Sequence, residues 1–214
     1  KCHCFLQAQM KLLYAQSNLE NVIERESFAT LSFACYDDQE ILPQLGITNR
    51  AYMKRVAANC RRFAEEFGTA HENLLFTGST GVGKTFLTNC IAGELMKRGH
   101  SVIYLSAADL FEVFSKNKFD SEDTENMQEM YRFVLECELL IIDDLGTELT
   151  NSFTSSQLFY CINERMGRER STIISTNLTI AGLRDSYTDR VASRIMSGYT
   201  IIPLYGRDLR LRAV

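Results

Sequence analysis

The chain has 214 residues, 45% hydrophobic and 23% charged, enough to bury a full core as one α/β domain with a small appendage, which excludes fibrous and disordered classes. Its 27 acidic and 23 basic residues leave a formal charge of -4, so the overall balance does not advertise nucleic-acid binding and local distribution must carry that question. Seven cysteines, an odd number spread through apparent core segments, read as reduced thiols of a cytoplasmic protein rather than a disulfide framework, and neither a signal peptide nor a membrane-length apolar run is present.

In chain order, residues 5–26 read as two short helices, the second restarted by a capping box of Ser17 and Glu20 around Leu19, Val22 and Ile23. Residues 28–36 are aromatic and irregular, and 37–48, with Pro43 and Gly46, form a connector. A helix is expected over 49–67, where Tyr52, Val56, Cys60, Phe63 and Phe67 recur at helical spacing as a core stripe. Strands and helices then alternate: strand 74–77, helix 84–98 ended by Gly99, strand 101–105 and helix 107–116. A charged surface loop is expected over 116–125, before a helix through Met127, Met130, Tyr131 and Val134. The run 139–142 is a buried strand ending in Asp143 and Asp144. A helix across Leu158, Phe159, Ile162 and Met166 leads to strand 172–176, helices 179–185 and 188–197, and a last strand 200–204. Such alternation predicts an α/β fold with a parallel sheet covered by helices on both faces, hence three layers.

Between the first strand and its helix lies GSTGVGKT, the phosphate-binding pattern GxxxxGK[ST] in the context its chemistry requires. Gly78, Gly81 and Gly83 let the loop turn tightly and aim backbone N–H groups at a polyphosphate, at the N-terminus of the following helix. The cradle is thus Gly78, Ser79, Thr80, Gly81, Val82, Gly83, Lys84 and Thr85, with Phe86 behind it. Lys84 would reach the β and γ phosphates, and the Thr85 hydroxyl would coordinate a bridging Mg²⁺. The alternative is a glycine-rich turn with an exposed lysine.

Two aspartates at the end of a buried strand are costly unless they meet cations. Asp143 is a candidate to hold Mg²⁺, either directly or through another of its ligands, and Asp144 a candidate to orient or deprotonate the attacking water; an Asx turn is the competing reading. Asn177, after strand 172–176, can donate to a phosphate oxygen and hold a water, or can simply cap the next helix. Arg190 and Arg194 share one helix face, where they are either catalytic or part of a solvated surface with Asp189.

Taken in order, GSTGVGKT, LLIIDDLG, ISTN and DRVASRIMSG resemble the Walker A, Walker B, sensor 1 and arginine-finger segments of AAA+ ATPases. Within that superfamily the chain resembles DnaC/DnaI-type bacterial helicase loaders from about Phe28 onward, with IstB-type transposition helpers as relatives that share the core. The resemblance implies an AAA+ core of five parallel strands in the order 5-1-4-3-2, a reduced or absent helical lid, and ATP hydrolysis with Mg²⁺. It also implies a replicative DNA helicase and single-stranded DNA as partners, no membrane, and a homo-oligomer in the ATP state, in which Arg194, or alternatively Arg190, acts on a neighbour's ATP. Arg207 or Arg210 stands where a further phosphate-sensing arginine could act. Asp144 departs from the glutamate of many AAA+ proteins, as it does in related loaders and initiators. Cys2 and Cys4 look like the second half of a loader's zinc site, which would bind zinc only with a first pair lying before Lys1; alone they are free thiols. Residues 1–48 are therefore expected to be a helical remnant and connector of a missing N-terminal domain, and 49–214 the ATPase domain. A nucleotide-dependent binding switch with little turnover and a small-molecule kinase are the other readings, the latter leaving Asn177 and DRVASRI without roles.

Overall fold

Apolar runs bounded by glycine and polar residues become five strands of one parallel sheet in the computed structural model, which describes residues 25–39, 41–119 and 124–212. The strands are β1 (Leu74–Thr77), β2 (Val102–Ser106), β3 (Leu139–Leu145), β4 (Ser171–Thr176) and β5 (Thr200–Pro203), in the spatial order β5-β1-β4-β3-β2. That is the order the resemblance implies. Leu74 pairs with Ile173 of β4 and Thr200 of β5, while Leu139 pairs with Val102 of β2 and Ser171 of β4. β4 lies at the centre with every residue buried, so it reads as a continuous run of small and apolar residues rather than an alternation.

The helices are α1 (Asn49–Glu65), α2 (Lys84–Lys97), α3 (Ala107–Phe119), α4 (Thr124–Glu136), α5 (Ser152–Gly167), α6 (Ile180–Tyr187) and α7 (Asp189–Gly198). Thr48 caps α1 by accepting the Ala51 N–H at 3.2 Å, and α1 buries Met53, Ala57 and Ala64 beside the expected Val56, Cys60 and Phe63. Phe67 lies past the helix end but still packs, edge-on to Phe63 and to the His100 ring. A reciprocal capping box of Asn151 and Thr154 starts α5. Upstream of α1, Ile41–Leu42 pairs antiparallel with Ile47–Thr48 inside the expected connector.

Two expectations fail locally. The surface loop over 116–125 is mostly helix: α3 runs on to Phe119 and α4 restarts at Thr124. At the end of α3 the exposed Lys116 pairs with Glu112 one turn before it, an i,i+4 ion pair that supports the helix. β3 also does not end at the two aspartates but runs one residue further, to Leu145. The two expected N-terminal helices, up to residue 24, and the Cys2 and Cys4 pair lie outside the described residues. None of the five described cysteines is in a disulfide.

The amino-terminal end of the sheet is tied by buried polar groups. Arg165 of α5 is wholly buried, and its guanidinium donates to the Thr172 hydroxyl (2.9 Å), the carbonyls of Val134 (2.7 Å) and Cys137 (3.1 Å), and the carbonyl of Ser171. Asn73 accepts the Thr172 N–H at 2.7 Å and donates to the Gly198 carbonyl at 3.0 Å, joining β1, β4 and α7. This leaves the opposite, carboxyl end of the sheet free for loops, which is where ligand sites lie in open α/β sheets.

Candidate active site

At that carboxyl end β1 runs into the glycine-rich loop, whose Gly78, Gly81 and Gly83 all have positive φ (145°, 76° and 104°). Gly83 stands at the N-cap of α2 and offers no side-chain cap, so the first N–H groups of the helix are left for a ligand. Two segments press on this loop from outside. The Tyr36 hydroxyl donates to the Val82 carbonyl at 3.3 Å, and the Leu209 N–H donates to the Gly81 carbonyl at 2.9 Å. The stretch from Tyr205, ending in a short 3-10 turn over Leu209–Arg212, thus lies across the phosphate loop.

Lys84 is only 5% exposed and spends its three donors inside the crevice: on the carbonyls of Gly78 (2.7 Å) and Ser79 (2.9 Å) and on Asn177 Oδ1 (2.6 Å). Burial pushes its ammonium below the ordinary lysine range, while Asp144 and Asp143 pull it back up. The Asn177 side chain is thereby brought to the phosphate loop. It is not the cap of the next helix; that is Thr179, which accepts the Gly182 N–H at 3.0 Å.

Asp143 is 8% exposed and surrounded by hydroxyls. It accepts from Thr85 at 3.1 Å, from Tyr104 of β2 at 2.7 Å, and from Ser175 of β4. Tyr104 in turn is 3.1 Å from the Thr88 hydroxyl of α2, so the carboxylate is fixed from three elements. Burial, then the Asp143 charge, raises the Tyr104 phenol, which stays a donor. A hard cation prefers oxygen ligands, and the adjoining Thr85 hydroxyl and Asp143 carboxylate fit one. Among the described residues no group of three or more His, Cys, Asp or Glu side chains could hold a metal by itself.

Consecutive side chains in a regular strand face opposite ways, so Asp143 and Asp144 should not both reach one site. The backbone resolves this. Asp144 has φ of 55°, in the left-handed region, at a register shift between Ile142 and Leu145, and its N–H donates to the Ser175 hydroxyl at 3.0 Å. Both charges consequently act on Lys84. Burial and then Asp143 hold the Asp144 carboxyl above its ordinary range, with Lys84 and Arg210 opposing.

The structure therefore brings together Lys84, Thr85, Asp143, Asp144 and Asn177. It does not bring Arg190 or Arg194 to them: both are exposed on α7, and Arg194 donates to Asn163 of α5. Asp189 pairs with Arg184 at 2.8 Å rather than with either of them. The sequence reading passed over Tyr104, Ser175 and Tyr36. Hydroxyls inside the otherwise apolar runs VIYLS and STIIST were the available signal for the first two.

A family model described as "IstB-like ATP binding protein" matches residues 34–212. The chain belongs to this family. Among curated relatives of this IstB-like chain, the replicative helicase loader DnaC of Buchnera aphidicola (subsp. Acyrthosiphon pisum, strain APS) is 24% identical over 183 residues, covering 86% of this chain and 72% of that protein. The loader DnaC of Escherichia coli K12 is 25% identical over 151 residues, 71% of this chain and 61% of its own length, so the match spans less than two thirds of that relative. The crystal structure of DnaI superposes with a TM-score of 0.64 at 25% identity, over 88% of this chain and 92% of that one. No described helix of the IstB-like chain is long and apolar enough to cross a membrane.

Proposed function

We propose that this IstB-like ATP-binding protein hydrolyses Mg·ATP and uses the cycle to place a replicative DNA helicase on single-stranded DNA in the cytoplasm. The observation that carries hydrolysis is the bond from Lys84 to Asn177, which ties the phosphate loop to the β4 loop directly beside two carboxylates. A γ-phosphate entering there replaces the loop carbonyls as acceptor for Lys84. Thr85 and Asp143 would hold the Mg²⁺, which would supply shielding of the phosphate charge. Asp144 faces the attacking water and takes its proton or fixes its direction, and its raised affinity for protons suits a base. Asn177 is placed to orient that water or a γ-phosphate oxygen.

The helicase and DNA part of the reading rests on the likeness to DnaC and DnaI. Residues 184–214 add six arginines against three aspartates. Two of these arginines are already spent, on Arg184–Asp189 and Arg210–Asp208 pairs, whereas Arg190, Arg194 and Arg207 are exposed without an acidic partner among the described residues. We expect weak, sequence-independent binding of single strands that falls steeply with salt and strengthens with ATP. Arg194 is assigned to a neighbouring subunit's γ-phosphate, because it is exposed on α7 and bonds Asn163 of α5 rather than any site residue of its own chain.

The test is steady-state phosphate release with and without single-stranded DNA. Stimulation by DNA, abolished in Lys84→Ala, is the expected result. Turnover that survives Lys84→Ala refutes the site, and a single burst without turnover favours a nucleotide switch. The second reading, an IstB-type transposition helper, has a relative described as a "Putative insertion sequence ATP-binding protein" in its support; it gains if a transposase, and not a replicative helicase, binds the ATP-loaded protein.

A further inference from the structure

The chain after β5 doubles back across the phosphate loop. The Leu204 N–H donates to the Thr77 carbonyl at 2.6 Å, Ser79 Oγ lies 3.4 Å from the Gly206 carbonyl, and Leu209 bonds Gly81. Asn49, at the start of α1, holds the far side of this stretch by donating to the Tyr205 carbonyl at 2.9 Å. The crossing brings the Asp208 carboxylate against Gly81, so closely that a Cβ at position 81 would overlap it. An anion thus rests on the loop whose function is to receive anions.

This anion is also the partner of Arg210. The guanidinium forks onto Asp208, Nε to Oδ1 at 3.0 Å and Nη2 to Oδ2 at 2.7 Å, and the Arg210 N–H adds a third bond to Oδ1 at 3.0 Å. The Arg210 side chain is two-thirds exposed, and its charge is felt at both Asp144 and Lys84, so it stands at the mouth of the crevice. A fork of this kind fixes a long side chain in one orientation through the geometry that guanidinium shares with carboxylate and phosphate.

We propose that Asp208 is a positioning residue that stands in for a nucleotide phosphate, parking Arg210 beside the phosphate loop until a triphosphate takes the guanidinium from it. The inference rests on the reading of residues 78–85 as an ATP site. It gives Asp208 two linked effects: like charge against incoming phosphates, and competition with them for the Arg210 guanidinium. Both weaken nucleotide binding, the second only while Arg210 is present, and both act more on ATP than on ADP because ATP brings the additional phosphate charge.

The test is calorimetric titration of the intact chain with Mg·ATPγS and with Mg·ADP, in wild type, Asp208→Asn, Arg210→Ala, the double variant and Lys84→Ala. Asp208→Asn should bind ATPγS roughly fivefold tighter than wild type, with a smaller gain for ADP. In the Arg210→Ala background the same substitution should gain less than about twofold, a non-additivity that a purely local repulsion does not produce. Equal affinities in wild type and Asp208→Asn, a loss of affinity, or the same gain without Arg210 would each overturn the proposal while leaving the ATP site standing. Equal ATPγS binding by wild type and Lys84→Ala would instead remove the ATP-site reading, and this inference with it. Asp208 lies at the surface, so thermal melts of the variants should overlay and exclude misfolding as the cause.

Discussion

Asp144→Asn should make this protein more stable and nearly inactive at once. The carboxylate is partly buried beside Asp143, and its backbone sits at φ 55°. Asparagine keeps the shape, tolerates the left-handed region as well as aspartate does, and removes the charge. Relief of the burial penalty and of that repulsion, discounted for the solvent that still screens this half-exposed carboxylate, is worth at most on the order of 1 kcal/mol. For a domain of this size it amounts to a rise of at most about 2–4 °C in Tm. The pH dependence has a definite sign. The folded-state affinity of Asp144 for protons is raised, so wild type loses stability as pH climbs from the unfolded carboxylate range near about 4 up to the raised folded value. The gap between variant and wild type should therefore be small below that window, open across it and stay constant above. Turnover should fall by about 10²–10⁴, the contribution of a positioned base, with Mg·ATP binding retained. Melts across pH, phosphate release and nucleotide titration check the three parts. A Tm below wild type at neutral pH would refute the electrostatic argument, and turnover within a few-fold of wild type would refute the role of Asp144 as base.

Arg165→Met should cost about 3–5 kcal/mol, because it strands three buried carbonyls and a hydroxyl that now receive charged donors. Chemical denaturation reads this loss, while nucleotide affinity measured well below the melting range should not change. Tyr104→Phe removes one donor from Asp143 and should raise the Mg²⁺ needed for half-maximal turnover several-fold, for about 1 kcal/mol of lost hydrogen bonding; an unchanged Mg²⁺ titration counts against Asp143 as a cation site. Arg194→Ala should bind ATP normally and hydrolyse it about 10³-fold more slowly. Mixing it with Lys84→Ala subunits should restore part of the activity at interfaces that combine an intact loop with an intact arginine, and no recovery in confirmed mixed assemblies refutes action across subunits.

The order of strands and helices was readable because each strand is an apolar run closed by a polar or glycine-rich break, and because the phosphate loop fixes where the first strand ends. What escaped the reading depends on contacts between distant segments. No local pattern places Asp144 in the left-handed region; the register shift against β4 and the Ser175 hydroxyl hold it there. Arg165 drew no notice in the sequence, although it continues the buried stripe of Leu158, Cys161 and Ile162 at helical spacing. A charged residue on the apolar face was the available clue, but only the fold supplies the carbonyls of Val134, Cys137 and Ser171 that surround it. The Tyr36 contact with Val82 spans 46 positions in sequence, beyond the reach of any periodicity.

The buried thiols make the protein its own record of breathing motions. Cys60 on α1, Cys90 on α2, Cys137 at the entry to β3 and Cys161 on α5 are each under 7% exposed. Burial first of all raises every one of them, to about 12 for Cys60, Cys90 and Cys161. Because the thiolate is the reacting form, an alkylating reagent meets these sulfurs only when the surrounding element opens and the thiol returns to ordinary acidity. Timed alkylation followed by peptide mass mapping would thus rank the openings of α1, α2, the β3 entry and α5 against one another without any engineered label. Saturating nucleotide should slow the Cys90 clock most, since α2 begins at Lys84 and Thr85, whereas Cys161 should keep its pace.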